Sequence, residues 1–205
     1  GFSAGDEPDG SGKFIANVLN NKDIADAIHA LLDRGGLILG ICNGFQALVK
    51  SGLLPYGRLG MVTKESPTLF RNDINRHISQ IVTTRVGTTN SPWLSGFAIG
   101  DLHTIAVSHG EGKFVVNEEF ARELFANGQV AFQYVDPLEE EPTMESPYNP
   151  NGSYYAIEGI ISKNGQILGK MGHTERYEGN LFKNIIDEGL EQPLFDNAVA
   201  YFRAE

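Results

Sequence analysis

The stretch GLILGICNGFQAL, residues 36–48, runs from an apolar segment into a glycine-flanked cysteine and then into helical spacing. Leu37–Ile41 is short and apolar on both faces, which predicts a strand buried in a parallel sheet covered by helices. Asn43–Lys50 predicts a helix that stops at Gly52. Cys42 then occupies the turn between them, in the G-x-C-x-G pattern made with Gly40 and Gly44, the thiol form of a nucleophile elbow. Such a turn presents its side chain to a substrate, and the N–H of the next residue, Asn43, points where an oxyanion would develop. The helix N-terminus is expected to lower the thiol pKa. The alternative is a structural cysteine before a glycine turn, since free cysteine is among the most buried residue types. The two glycines and the strand-to-helix setting favour the nucleophile.

Outward from this turn, apolar residues from Phe14 to Leu31 recur at helical spacing. The NNKD stretch (20–23) splits them into two helices, and Gly35-Gly36 ends the second. Residues 77–86 and 103–109 read as strands, 117–129 as a helix capped by Asn117, and 130–135 as a strand. Residues 136–153 form a long acidic, proline-rich loop. Two β-rich runs then meet at Asn164-Gly165, a strong hairpin signal, and the second leads directly into GHTER, residues 172–176. A helix near 193–203 closes the chain. The expectation is one α/β domain over 1–205 with antiparallel additions.

Composition narrows the functional classes. The chain has 205 residues, a formal net charge of −10, 41% hydrophobic residues and one cysteine. That charge argues against a nucleic-acid or anionic membrane partner, because phosphate binding relies on Lys and Arg. No apolar run reaches about 18 residues, so no span is expected. A single cysteine forms no internal disulfide and fits a reducing, cytoplasmic setting. The opening GFSAGDEPDG has no signal-peptide pattern. It starts on a glycine-rich loop without Met, and is expected to be a cut within a larger protein.

A cysteine nucleophile needs a base, and the base needs an orienting group. Among five histidines, His29 lies in a helical run, and His77 and His103 begin strands with no acidic partner at suggestive spacing. His173 differs. In extended backbone, His173 and Glu175 fall on one side of the chain, so the carboxylate can fix one ring nitrogen and leave the other facing Cys42. Their place after the hairpin suits the C-terminal rim of an open sheet, where such sites form. A surface charge pair is the competing reading. The loop 108–114, SHGEGKF, could hold the polar ends of a small ligand or merely join two strands. The Gly1–Asp6 loop is a weak anion-site signal. Neither loop has P-loop or Rossmann spacing, and no metal-ligand spacing occurs.

Together GFSAGD, GICNGFQ, HGEGKF, NPNGS and GKMGHTER, in this order, resemble the class I (triad-type) glutamine amidotransferase domain. The form they resemble most is the C-terminal glutaminase domain of single-chain phosphoribosylformylglycinamidine synthases, enzymes of purine biosynthesis. DEPDGSGKFIA (6–16) is similar to the single-chain form rather than to the separate subunit. The resemblance implies a flavodoxin-like three-layer α/β/α fold, with an N-terminal strand and helix of the family's domain missing here. It implies Cys42 as nucleophile, His173 as base and acid, and Glu175 as its orienter. It implies an oxyanion hole from the Asn43 N–H and the Gly1–Phe2 loop, with Gln46, His109, Gly110, Glu111 and Gly112 around L-glutamine. Glutamate and ammonia would be the products. Ammonia would pass through a channel to a synthetase domain of the same polypeptide, which uses ATP and magnesium; no cofactor is implied in this chain. Another cysteine-elbow hydrolase, or a non-catalytic regulatory module, are the alternatives. Many relatives carry prolines beside the catalytic histidine, where this chain has Gly172 and Thr174, which predicts a less rigid loop.

Overall fold

The computed structural model describes residues 12–178, 181–182, 185 and 191–204. Its elements are α1 (Lys13–Leu19), α2 (Lys22–Asp33), β1 (Ile38–Ile41), α3 (Asn43–Ser51), a single-turn α4 (Leu53–Tyr56) and β2 (Thr68–Arg71). Then come β3 (Ile78–Val86), β4 (Leu102–His109), β5 (Glu111–Val115), α5 (Glu118–Ala126), β6 (Val130–Tyr134), β7 (Ile157–Ile161), β8 (Ile167–Lys170) and α6 (Leu194–Arg203).

Local chemistry sets the boundaries. Asn21 caps α2 by accepting the Asp23 N–H, and Asn117 caps α5 by accepting the Phe120 N–H at 2.8 Å. Gly52, with φ 87°, terminates α3 in the left-handed conformation that a side chain would resist. The Asn164-Gly165 turn joins β7 and β8 as an antiparallel hairpin, as its sequence predicts.

The main sheet has the order β1-β8-β7-β6-β3-β4, and β2 pairs with β5 in a separate ribbon. The expectation of a parallel sheet holds for one pair only. β1 and β8 run parallel, with Ile41 opposite Lys170, and the other pairings are antiparallel. A short β7–β8 turn can only reverse the chain, which makes that pair antiparallel; the others follow from which strands lie side by side.

Period-two alternation divides the core into two layers. Ile38, Ile160 and Ile167 face Phe45, Leu48, Leu53 and Leu124 of the α3, α4 and α5 side. Leu39, Ile161 and Leu168 face Trp93, Leu94 and Leu194 on the other. The result is a helix–sheet–helix arrangement, as expected of an α/β domain. β8 approaches α3 so closely that a Cβ on Gly169 would lie 2.2 Å from Phe45 Cδ2 and 2.5 Å from Leu54 Cδ1. Gly169→Ala is therefore expected to cost about 1–3 kcal/mol of stability. A urea melt would read this as a lower midpoint with an unchanged slope.

The sheet also curls. β1 and β4 stand at opposite ends of the strand order, yet the Cys42 thiol, directly after β1, donates to the Ser108 carbonyl of β4 at 3.6 Å. The His173 N–H, just beyond β8, donates to the Ala106 carbonyl at 2.8 Å. Carbonyls two residues apart on a strand point the same way, so the outer rim of β4 faces the C-terminal ends of β1 and β8.

Candidate active site

Cys42 has φ 54° and ψ −108°, a strained backbone for a residue with a side chain. The strain is held by its surroundings. Its N–H is bonded to the Lys170 carbonyl at 2.8 Å, and its carbonyl accepts the Gln46 N–H of α3. A Cβ on Gly40 would lie 2.8 Å from the Gly44 backbone, so the first glycine of G-x-C-x-G is required by close approach of strand and helix. At Gly44 a Cβ would meet nothing within 4 Å among the described residues, so packing does not account for it.

The thiol is enclosed, with Cys42 only 6% exposed. Burial pushes its pKa up from the ordinary 9.0, while the Asn43 N–H and Arg176 pull the other way and do not prevail. This corrects the expectation of a lowered pKa: desolvation of a thiolate outweighs the helix terminus here. The resting sulfur is an S–H, and deprotonation must be coupled to a base. Iodoacetamide alkylation of Cys42 in the free protein is expected to be slow at neutral pH and to accelerate through and beyond pH 9.0. A plateau reached near pH 7 would contradict this.

His173 is 2% exposed. Its Nδ1 lies 2.6 Å from Glu175 Oε1, and its buried Nε2 has no hydrogen-bond partner among the described residues. The two residues do not lie on an extended strand, as expected; Thr174–Arg176 is a 3₁₀ turn. The chain turns directly beyond Gly172, and Glu175 reaches back to the ring from within that turn. Burial opposes ionisation of Glu175, but the hydrogen bonds to His173 and a backbone N–H outweigh it. They hold the carboxyl below its ordinary 4.5. A carboxylate in this state holds the proton on Nδ1 and leaves Nε2 as the basic nitrogen.

His29 and His77 have hydrogen-bond partners, whereas His103 has a ring contact and a buried Nδ1 without a hydrogen-bond partner among the described residues. His29 Nε2 accepts the Leu59 N–H at 3.2 Å, His77 meets the Ser108 hydroxyl at 3.0 Å, and His103 stacks edge-on against Phe97.

The HGEGKF segment is not a loop. β4 ends at His109, the chain bends at Gly110, and β5 begins at Glu111. Alternation along β5 puts Gly112 and Phe114 inward and Glu111 and Lys113 outward, a pattern that two glycines disguise in sequence. His109 is buried, with Nδ1 3.1 Å from Asn72 Oδ1 and Nε2 unpartnered. Burial, with His77 and His173 nearby, lowers its pKa to about 3, so it is a neutral imidazole at physiological pH. Gln46, also buried, donates from Nε2 to the Glu111 carbonyl, while its Oε1 has no partner. Gly112 allows the His109 ring its place, since a Cβ there would sit 2.5 Å from Cε1. Gly110 contributes its carbonyl to the Asn72 N–H at 3.1 Å. Glu111 lies 3.9 Å from the Arg71 guanidinium.

Two supports were absent from the sequence reading. Asn72 accepts the Gly112 N–H at 3.1 Å and donates to the His109 and Arg76 carbonyls at 2.8 and 3.1 Å. Asn151 donates to the Gly112 carbonyl at 2.9 Å, which ties the NPNGS stretch to the same segment. An Asn directly after a short strand, in FRND, was the available signal for the first. Gly1 and Phe2, expected in the oxyanion hole, lie outside the described residues.

Elbow, imidazole, carboxylate and neighbouring amide thus gather at the C-terminal ends of β1 and β8. Unpartnered buried atoms on Gln46, His109 and His173 mark polar groups to which a ligand can bond. Residues 1–202 match the CobB/CobQ-like glutamine amidotransferase domain. The chain belongs to this family.

As a class I amidotransferase domain it has close curated relatives. It is 37% identical over 220 residues to the phosphoribosylformylglycinamidine synthase subunit PurQ of Methanococcus maripaludis strain C5, covering 98% of this chain and 79% of that one. The same subunit from Gloeobacter violaceus is 36% identical over 153 residues, covering 75% and 60%. The chain thus spans three-fifths to four-fifths of the length of these relatives. The structure of PurLQS from Thermotoga maritima aligns with a TM-score of 0.69 at 27% identity, over 98% of this chain and 76% of that one. Among the described residues of this amidotransferase domain, no helix is long and apolar enough to cross a membrane.

Proposed function

We propose that this domain hydrolyses the side-chain amide of L-glutamine to glutamate and ammonia. The ammonia serves the ATP-dependent conversion of formylglycinamide ribonucleotide to its amidine, in cytoplasmic purine synthesis. The observation that carries the reading is a His173 with Nδ1 partnered and Nε2 unpartnered among the described residues, three residues beyond β8, whose Lys170 carbonyl holds the N–H of Cys42 on its strained elbow.

In the chemistry that follows, His173 Nε2 takes the Cys42 proton as sulfur attacks the amide carbon. The Asn43 N–H faces the resulting oxyanion. His173 returns the proton to the leaving nitrogen, ammonia departs and a thioester remains. Water, deprotonated by the same Nε2, adds to the thioester; glutamate leaves and the proton restores the thiol. Gln46 and neutral His109 offer polar atoms to the amino-acid part of glutamine.

The synthetase, with its ATP and magnesium, lies beyond this chain. The curated relatives are separate subunits, and the PurLQS structure supports assembly with a synthetase partner. Placement of that synthetase in the same polypeptide, with a channel between the sites, is supported by the 6–16 stretch. A glutamine-like chloroketone tests the reading: label on Cys42, blocked by glutamine, is the expected result. Label elsewhere, or none on the complete enzyme, would overturn it and favour a non-catalytic module.

A further inference from the structure

The strand carrying the base contains a lysine that nothing in the reaction uses. Lys170 and Glu158 both have fully buried side chains, on neighbouring strands β8 and β7, with Nζ 4.0 Å from Oε1. Charged groups are rarely enclosed unless their hydrogen-bonding capacity is met. Here the turn that bears His173 partners Lys170 Nζ and one oxygen of Glu158, while Glu158 Oε2 has no hydrogen-bond partner among the described residues. Glu158 Oε1 accepts the N–H of Gly172, the residue before the imidazole. Lys170 Nζ donates to the Thr174 hydroxyl, the residue after it, at 3.1 Å, and to Gln192 Oε1 at 2.7 Å. The Thr174 hydroxyl in turn donates to the same Gln192 oxygen at 2.8 Å. The face of the Phe132 ring lies 5.0 Å from the ammonium. The Lys170 backbone carbonyl meanwhile holds the Cys42 N–H at 2.8 Å, so one residue is bonded to both halves of the site.

We propose that the Glu158–Lys170 pair positions His173 by gripping its two neighbours, Gly172 through its N–H and Thr174 through its hydroxyl. Proline at 172 would have no N–H for Glu158, and proline at 174 no hydroxyl for Lys170. The pair therefore supplies by buried hydrogen bonding the rigidity that two fixed φ angles would supply covalently. The loop expected to be looser for want of prolines is braced from beneath. Glu158 and Lys170 are positioning residues, not catalytic ones, and their action on glutamine hydrolysis rests on the function proposed above.

Thr174→Val and Thr174→Ser form the test, made in the complete enzyme. The serine keeps the hydroxyl and is expected to retain the parent kcat. The valine is expected to lose about 10- to 100-fold in kcat, the scale of a small misplacement of a catalytic group. Its KM for glutamine is expected to stay within about twofold, because ground-state binding is untouched. A readout free of glutamine is the proton NMR signal of His173 Nδ1–H, sharp in the parent and Ser variant and lost in the Val variant. If the Val variant does not fold, Glu158→Gln with Lys170→Met removes the grip on Thr174 without leaving a lone buried charge. The same losses are expected. Equal kcat and equal Nδ1–H signals for valine and serine, in an enzyme that turns over glutamine, would overturn the proposal. A parent that does not hydrolyse glutamine, but whose Nδ1–H signal still depends on the Thr174 hydroxyl, would overturn only the proposed function.

Discussion

Cys42→Ala is expected to reduce glutamine-dependent synthesis by the complete enzyme at least about 10⁴-fold, because in the proposed mechanism its sulfur forms the thioester. Free ammonia should still support synthesis at close to the parent rate, since the variant leaves the synthetase site untouched. The comparison is direct: product formation with saturating glutamine, then with ammonium chloride at a pH where free ammonia is appreciable. If both activities fell together, separate sites for ammonia release and ammonia use would be the wrong picture. The substitution removes only the sulfur and its 3.6 Å hydrogen bond to the Ser108 carbonyl, so the variant is expected to fold. A thermal melt checks this. A buried thiol with a raised pKa needs the base proposed above, so Cys42→Ser should be nearly as inactive as the alanine. A hydroxyl is a harder proton to remove and a weaker nucleophile at the same position.

Glu175→Gln is the second large effect. The Nδ1 to Oε1 distance of 2.6 Å describes a short, charge-assisted contact. An amide can offer its NH₂ to Nδ1 instead, which places the ring proton on Nε2 and removes the basic nitrogen that the proposed mechanism uses. A fully buried carboxylate–imidazole pair can cost about 10⁴-fold when altered this way. The Glu175 side chain is 39% exposed, so water can partly replace it, and a loss of about 10²- to 10³-fold in kcat is expected. The pH profile supplies a second check. The carboxyl is held below 4.5, so the stabilisation it gives the fold is present above that value and lost as pH falls through its lowered one. Activity should therefore show no Glu175-dependent fall at pH 5 to 6, and one appearing there would contradict the assignment.

Much of this site was legible without coordinates because its parts use local rules. Gly40, Cys42 and the helix after them specify an elbow within a few residues. Asn21, Asn117 and Gly52 mark helix ends by side-chain capping or left-handed backbone. The hairpin at Asn164-Gly165 announced itself for the same reason. What stayed hidden depends on partners distant in the chain. β2 is four residues between Pro67 and Asn72 and becomes a strand only by pairing with β5. β5 is concealed because its inward positions include Gly112, which contributes no apolar signal. The antiparallel majority of the sheet follows from which strand lies beside which, and spacing along one chain does not encode that. Glu158 and Lys170 carry no local signal of enclosure, since charge in a strand usually means water. Their enclosure depends on Phe132, Gln192 and Thr174 arriving from three other places.

The contact of Cys42 and His173 with the rim of β4 ties reactivity to the shape of the whole sheet. The ladder is irregular between β6 and β7, at Val130/Phe132 and Phe132/Gln133. Such irregularities increase local twist. A substitution there that flattened the sheet would open the gap at the far margins, parting sulfur from Ser108 and the imidazole backbone from Ala106. The protein would then melt almost normally and still be a poor enzyme, with its lesion several strands away from the atoms that react.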